Sequence, residues 1–373
     1  MKRPRRRWIR DRRPLVFLAF SDRPARMSPP HKKKNNARLY AVQQRKNPMK
    51  LFSTASILAA SALLVSAAHA QDVTLRLGHT GAPTHHYQTI SELFAETVKE
   101  RSNGEIQIDV YPADQLGKQL EAVEGTMLGT QDIFLVSDTV LSNWVPDMGI
   151  LNLPFLFSSL DDVHEVLEGP VGDQLEAKME GTGAVVIGWW MGGLRNITNN
   201  VQPITDPSQL EDVKIRVPEG EVFVETFKAM GANPVVISFG ELYSALQLGT
   251  ADAQENPPAH ILTQKFYEVQ AYTSKTAHIY LGSPLIMNEA MLESLSEKHR
   301  EIILTAATEM AGVHLKMVND LEDAQWAELA ELGNQINEVD VAPFREATAP
   351  VIDMFKETLD ADIIEEIQTQ LAD

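Results

Sequence analysis

The sequence contains no cysteine. That excludes disulfides, thiolate metal sites and thiol nucleophiles, and leaves side-chain packing as the source of stability. It also lacks a Gly-rich phosphate loop, a zinc-protease helix and a Gly-x-Ser-x-Gly elbow. No Ser/His/Asp set stands out, and no positioned acid–base pair of the kind an enzyme needs is evident. No cofactor is expected. His79, His85 and His86 lie close together, but their irregular loop spacing and the absence of thiolates do not describe a zinc site. Basic residues become scarce after the first stretch of the chain. Residues 1–70 hold 17 Lys/Arg and 2 Asp/Glu, a net of +15; residues 71–373 hold the remaining 16 and 49, a net of −33. So acidic a body disfavours nucleic acid and anionic membranes as partners.

The basic head reads as an address. From Met49 the order is Lys50, a short apolar segment around 57–65, and the small-x-small site Ala68-His69-Ala70, the pattern of a secretory signal peptide. Cleavage near Ala70/Gln71 would deliver the mature chain to the periplasm. A signal of this kind works from the true terminus. Translation is therefore expected to start at Met49, with 1–48 an untranslated extension and 49–70 the signal peptide. The apolar segment is short for a membrane span.

The rest, long enough for two domains, alternates strand and helix. Residues 73–77 and 105–111 show period-2 alternation, 87–101 carries apolar residues at helical spacing, 120–128 reads as a helix and 133–136 as a buried strand. This β-α-β-α-β rhythm defines an α/β layer. Ala184–Trp190 is a continuous apolar strand. Short strands follow at 213–217 and 235–237. Ser159 with Asp162, and Ser238 with Glu241, are spaced as capping boxes, the second opening a helix at 242–248. Ser296 to Gly333 contains no proline and repeats apolar residues at helical spacing. It is read as one long strut across both halves, with Gly312 a point of bending.

Three places carry candidate binding chemistry. On strand 213–217 the core face is Val213, Ile215 and Val217, so Arg216 points the opposite way near the strand's C-terminal tip. Open α/β sheets bind ligands there, and a guanidinium can grip a carboxylate through two parallel bonds; a solvated surface arginine fits the spacing too. Arg195 sits in Gly-Gly-Leu-Arg-Asn-Ile-Thr-Asn-Asn, just past the strand ending at Trp190, where the same residues also suit a turn. Asn256, held extended by Pro257, is either an uncharged donor at a cleft wall or a helix cap. Gln119, ahead of the helix at 120–128, joins the candidate set. Trp189 and Trp190 read as core, with Trp190 the one set toward a cleft.

In order along the chain stand Tyr-Pro-Ala-Asp-Gln-Leu-Gly at 111–117, Leu-Pro-Phe-Leu-Phe at 153–157, Gly-Pro-Val-Gly at 169–172 and Gly-Leu-Arg-Asn-Ile-Thr-Asn at 193–199. Then come Val-Lys-Ile-Arg-Val-Pro at 213–218, Gly-Ala-Asn-Pro at 231–234, Glu-Leu-Tyr-Ser-Ala-Leu-Gln at 241–247, Gln-Glu-Asn-Pro at 254–257 and Lys-Phe-Tyr-Glu-Val-Gln at 265–270. Together they resemble the solute-binding subunit of tripartite ATP-independent periplasmic (TRAP) transporters, of the C4-dicarboxylate-binding type. The resemblance implies an α/β, two-lobed, periplasmic-binding-protein-like fold with hinge strands and a long lobe-spanning helix. It implies a first lobe of 71–193 plus about 282–321, and a second of 194–281 plus about 322–373. It implies a ligand-binding set of Arg216, Arg195, Asn256, Phe239 and His79. The implied ligand is a small carboxylate, a dicarboxylate or sugar acid. The implied partners are the small and large integral-membrane permease subunits, with the binding protein itself a monomer and not an enzyme. A receptor presenting ligand to a membrane sensor would share this sequence pattern. Two departures stand out: Ala253 and Ala277 replace glycines usual in Asp-Gly-Gln-Glu-Asn-Pro and Thr-Gly-His.

Overall fold

The computed structural model describes residues 73–372. The extension 1–48, the signal peptide 49–70 and the cleavage site at Ala70/Gln71 lie outside the described residues. In chain order the strands are β1 (Val73–His79), β2 (Ile106–Tyr111), β3 (Ile133–Leu135), β4 (Ala184–Asn199), β5 (Lys214–Val217), β6 (Asn233–Val236), β7 (Ala253–Asn256), β8 (Tyr272–Asn288) and β9 (Gln335–Glu338). They join in one sheet of order β2-β1-β3-β8-β4-β7-β5-β6, with β9 beside β8. One end, β2-β1-β3, belongs to the first lobe and the other, β7-β5-β6, to the second. Both ends pair in parallel internally, as strands fed by crossover helices must. The fold is the α/β, two-lobed arrangement expected.

The lobes are joined by β4 and β8, 16 and 17 residues long. These run antiparallel side by side, with register shifts at Val186/Gly188, Met191/Gly193 and Arg195/Ile197. Each shift is a bulge that bends and twists the ribbon. The sequence pattern ends the strand at Trp190 and leaves the following glycines open to a turn or to a close approach to ligand; the strand in fact continues to Asn199. The glycines serve the bulge. Gly193 has φ +120°, and a Cβ on Gly192 would meet the Leu281 carbonyl oxygen at 2.6 Å. β8 went unread because Gly282, Ser283 and Pro284 interrupt its apolar run, yet those positions oppose Met191, Trp190 and Trp189 in the ladder.

The long helix is real: Glu297–Glu331, 35 residues, capped by Ser296 Oγ accepting from His299 N at 3.2 Å. At about 1.5 Å per residue it spans about 50 Å. Gly312 lies inside it without ending it. The helix seats Ile303, Ala307 and Ala311 in the first-lobe core beside Phe94 and Leu285. Trp326 and Leu329 enter a second-lobe cluster with Leu242 and Phe266. Burying a side chain of this size stabilises by about 1.5–3 kcal/mol, so it fastens both lobes.

Ser159 and Asp162 form the expected capping box. Ser238 and Glu241 do not: Ser238 makes no cap bond, a 3-10 turn at Phe239–Glu241 precedes the helix Leu242–Gln247, and Glu241 instead meets Lys118 Nζ at 2.6 Å. Both partners of that pair are about half exposed, which makes it a weak tie between the lobes. The two alanines differ in consequence. Ala253 is extended and fully buried in the second-lobe core. Ala277 adopts φ +43°, a left-handed conformation that costs a residue with a Cβ about 1 kcal/mol.

Candidate functional site

A cavity partly open to solvent lies between the lobes, lined by Thr80, Tyr87, Gln119, Leu135, Ser137, Arg195, Arg216, Pro218, Phe239, Asn256, His260 and Leu281. Many of these follow from topology. Thr80, Ser137, Pro218 and Phe239 lie just past the C-terminal ends of β1, β3, β5 and β6, and Asn256 ends β7. Strand ends on both halves of the sheet thus face one crevice.

Arg216 is 1 % exposed. Ile215 and Val217, on the opposite face of β5, are fully buried in the second-lobe core, which forces the guanidinium toward the cavity. Its Nε donates to Ile237 O at 2.8 Å. Its two terminal nitrogens have no acceptor among the described residues. Burial, together with Arg195 nearby, lowers its pKa to about 10, which leaves it charged at neutral pH.

Arg195 is buried too, but paired. Nε donates to Glu255 Oε2 at 2.5 Å, and Nη2 donates to Glu255 Oε1 and to the Glu255 carbonyl, each at 2.7 Å. The guanidinium also lies 5.1 Å over the Phe223 ring. Burial alone would raise the Glu255 carboxyl, but Arg195 and His278 outweigh it and hold it below the usual range. Arg195 and Arg216 both line the cavity, and Glu255 pairs with the first and not with the second.

Asn256 is not a helix cap; Pro257 takes that place. Asn256 Nδ2 donates to Gln254 Oε1 at 2.6 Å, Gln254 Nε2 to Thr198 Oγ1 at 2.8 Å, and Thr198 Oγ1 to Gln270 Oε1 at 2.9 Å. This buried relay fixes the Asn256 amide. Gln119 Oε1 accepts from Ser137 N at 2.8 Å, which turns its amide N–H bonds elsewhere. Phe239 stacks edge-on against His260 at 5.2 Å.

The structure thus brings Arg216, Arg195, Asn256, Phe239 and Gln119 together. His79 and Trp190 are set one layer behind. His79 is fully buried, its Nε2 donating to Gln88 Oε1 at 2.9 Å. Trp190 donates from Nε1 to Ala307 O at 3.0 Å and packs edge-on against Phe94. Neither lines the cavity. The sequence reading missed Thr80, Tyr87 and His260. Tyr87 carried a signal: it stands in the first turn of the helix that follows the end of β1.

Behind the cavity wall lies a cluster of buried histidines. His85 caps the helix His86–Arg101, its Nδ1 accepting from Tyr87 N at 3.1 Å. His314, on the long helix, accepts at Nδ1 from Met191 N at 3.2 Å. Its Nε2 must then carry the proton and donate to His86 Nδ1, 2.6 Å away. The His85 ring lies 4.0 Å from His86 and 4.3 Å from His260. Among the described residues no set of three or more His, Asp or Glu is arranged to hold a metal ion.

Burial depresses all these imidazoles, His86 to about 3 and His79 to about 4, with His85, His260 and His314 well below 6.5. The unfolded chain therefore takes up these protons first. Stability is complete above pH about 6.5 and falls, by about 1.4 kcal/mol per pH unit for each histidine, as pH drops toward those values. Asp138 and Asp114, raised by burial to about 7 and about 6, act the other way: the folded chain binds their protons first and gains stability as pH falls. The histidines outnumber them. The melting temperature is expected to drop between pH 7 and pH 5, and thermal melts that stay level or rise across that interval would contradict the neutral cluster.

The crevice, the crossing strands and the long helix define a two-lobed solute-binding protein. Residues 77–358 match the profile of bacterial extracellular solute-binding proteins, family 7, and the chain belongs to that family. It is 34 % identical over 305 residues to protein y4mM of Sinorhizobium fredii, covering 81 % of this chain and 56 % of that one. It is 31 % identical over 306 residues to the 2,3-diketo-L-gulonate-binding periplasmic protein YiaO of Escherichia coli, covering 82 % and 89 %. A TRAP periplasmic solute-binding protein from Polaromonas sp. JS666, crystallised with D-erythronate, superposes with a TM-score of 0.77 at 33 % identity, covering 79 % of this chain and 98 % of that one.

Proposed function

We propose that this chain captures a small organic acid in the periplasm and delivers it, chemically unchanged, to the integral-membrane permease of a TRAP transporter. The observation that carries this is the Arg216 fork, buried between two lobes with both terminal nitrogens free. A buried, unpaired charge is costly, and a ligand carboxylate is the partner that offsets the cost. Arg195 and Asn256 complete the grip from β4 and β7. Closure removes water and strengthens the pairing. The reading is supported by relatives named for or crystallised with carboxylates: 2,3-diketo-L-gulonate, D-erythronate and succinate. Export follows from the signal peptide at 49–70 with cleavage near Ala70/Gln71. The first lobe comprises 71–193 with about 282–321, the second 194–281 with about 322–373. These divisions fall inside β4, β8 and the long helix. The protein works as a monomer, without a cofactor and without catalysing a reaction.

A thermal-shift screen of C4-dicarboxylates, sugar acids, 2-oxo acids and small aromatic acids, followed by calorimetry, tests this. At least one acid should raise the melting temperature, bind in the micromolar range, about −8 kcal/mol, and be recovered intact by mass spectrometry. A carboxylate consumed on incubation, or no shift with any class, defeats the proposal.

A further inference from the structure

His260 is a cavity residue that no charge argument uses. It stands on the helix Pro258–Thr263, two residues past the Asn256-Pro257 corner. It is 3 % exposed, and its Nδ1 has no hydrogen-bond partner among the described residues. The ring is held on three sides: His85 at 4.3 Å, Phe239 at 5.2 Å and Tyr87 at 5.4 Å. Burial, with His86, Arg195 and Arg216 adding to it, opposes a proton on this ring. A neutral imidazole offers one N–H and one lone pair. A hydroxyl, which donates and accepts, can satisfy either nitrogen; a carboxylate can use only the N–H.

The charge balance points the same way. Glu255 occupies Nε and Nη2 of Arg195, so Arg216 is the lining cation left for a ligand carboxylate, and a second carboxylate finds no further cation on the wall. The remaining polar wall, Thr80, Gln119 and Ser137, is uncharged.

We infer that His260 is a specificity residue that reads a ligand hydroxyl, and that the cavity selects a hydroxylated acid with a single carboxylate over a dicarboxylate. This rests on the carboxylate reading above. A site built to hydrogen-bond a hydroxyl discriminates strongly against the analogue lacking it, because its buried polar group is left without a partner.

Calorimetry with three four-carbon acids separates the possibilities: D-erythronate, butanoate and succinate. The protein should bind erythronate at least about tenfold more tightly than either of the others. His260→Phe keeps a ring in the stack and removes the nitrogens. It should weaken erythronate by about tenfold while leaving butanoate unchanged within about twofold, and His260→Gln should recover part of the loss. Succinate or butanoate binding the unaltered protein as tightly as erythronate overturns the inference, whether or not the variants fold. So does a His260→Phe variant that weakens all three acids equally, which marks a packing role. Heat from butanoate and succinate but no preference for erythronate removes only this inference. Silence with all three acids overturns this inference; silence across the whole screen of acids above removes the carboxylate reading with it.

Discussion

Arg216→Ala is expected to raise the dissociation constant for the captured acid by a factor of about 30 to several thousand, equivalent to about 2–5 kcal/mol. The loss has two parts: the charge-assisted bonds disappear, and the carboxylate is left buried without a counter-charge. Arg216→Lys keeps the charge but not the planar fork, so it should recover only part of the affinity. The empty protein should behave differently. Its Arg216 side chain makes a single hydrogen bond among the described residues, to Ile237 O, while bearing the desolvation of a buried cation. The melting temperature without ligand should therefore hold or rise in Arg216→Ala. Calorimetry and a thermal melt on the same preparation read both effects. Unaltered affinity in the alanine variant would remove the guanidinium from the binding scheme.

Glu255→Ala should destabilise the fold by about 3–5 kcal/mol, because it strands the Arg195 charge in a site with almost no solvent. Glu255 is fully buried, receives two side-chain bonds from Arg195, and has His278 Nε2 3.3 Å from Oε2. Replacing both partners with apolar residues of similar size, Arg195→Met with Glu255→Leu, should restore most of the stability, since neither charge is then left alone. The double variant should still bind ligand poorly, for Arg195 itself lines the cavity. Chemical denaturation of Arg195→Met, Glu255→Leu and the double variant gives the coupling between them. A Glu255→Ala midpoint equal to that of the parent would show that the pair holds nothing together.

Much of this molecule is legible in its sequence. The long helix was legible because its 35 residues carry a cap, a stop and an unbroken periodicity. Arg216 was legible because alternation over five residues fixes which way each side chain points. The extension of β4 past Trp190 was not legible, because glycines that serve a bulge look locally like glycines that serve a turn; only the partner strand β8 decides between them. The capping box at Ser238 failed for a related reason: Glu241 found Lys118, 123 residues earlier in the chain, and no local pattern contains that contact. Trp190 and His79 lie close to the cavity in sequence terms but one layer behind it, since strand alternation gives a direction and not a depth. His260 could not be singled out at all. Its place depends on His85 and Phe239 arriving from distant segments.

The bulged ribbon of β4 and β8 has a mechanical consequence. Arg195 stands on β4 at one of its register shifts, and Leu281 lies across from Gly193 at another. A solute held there pulls on the flexing joint itself, as a hand closing around a door's own spring would. Grip and movement then form a single event, with no intermediate lever to carry a signal from the seat of the cargo to the place where the molecule bends.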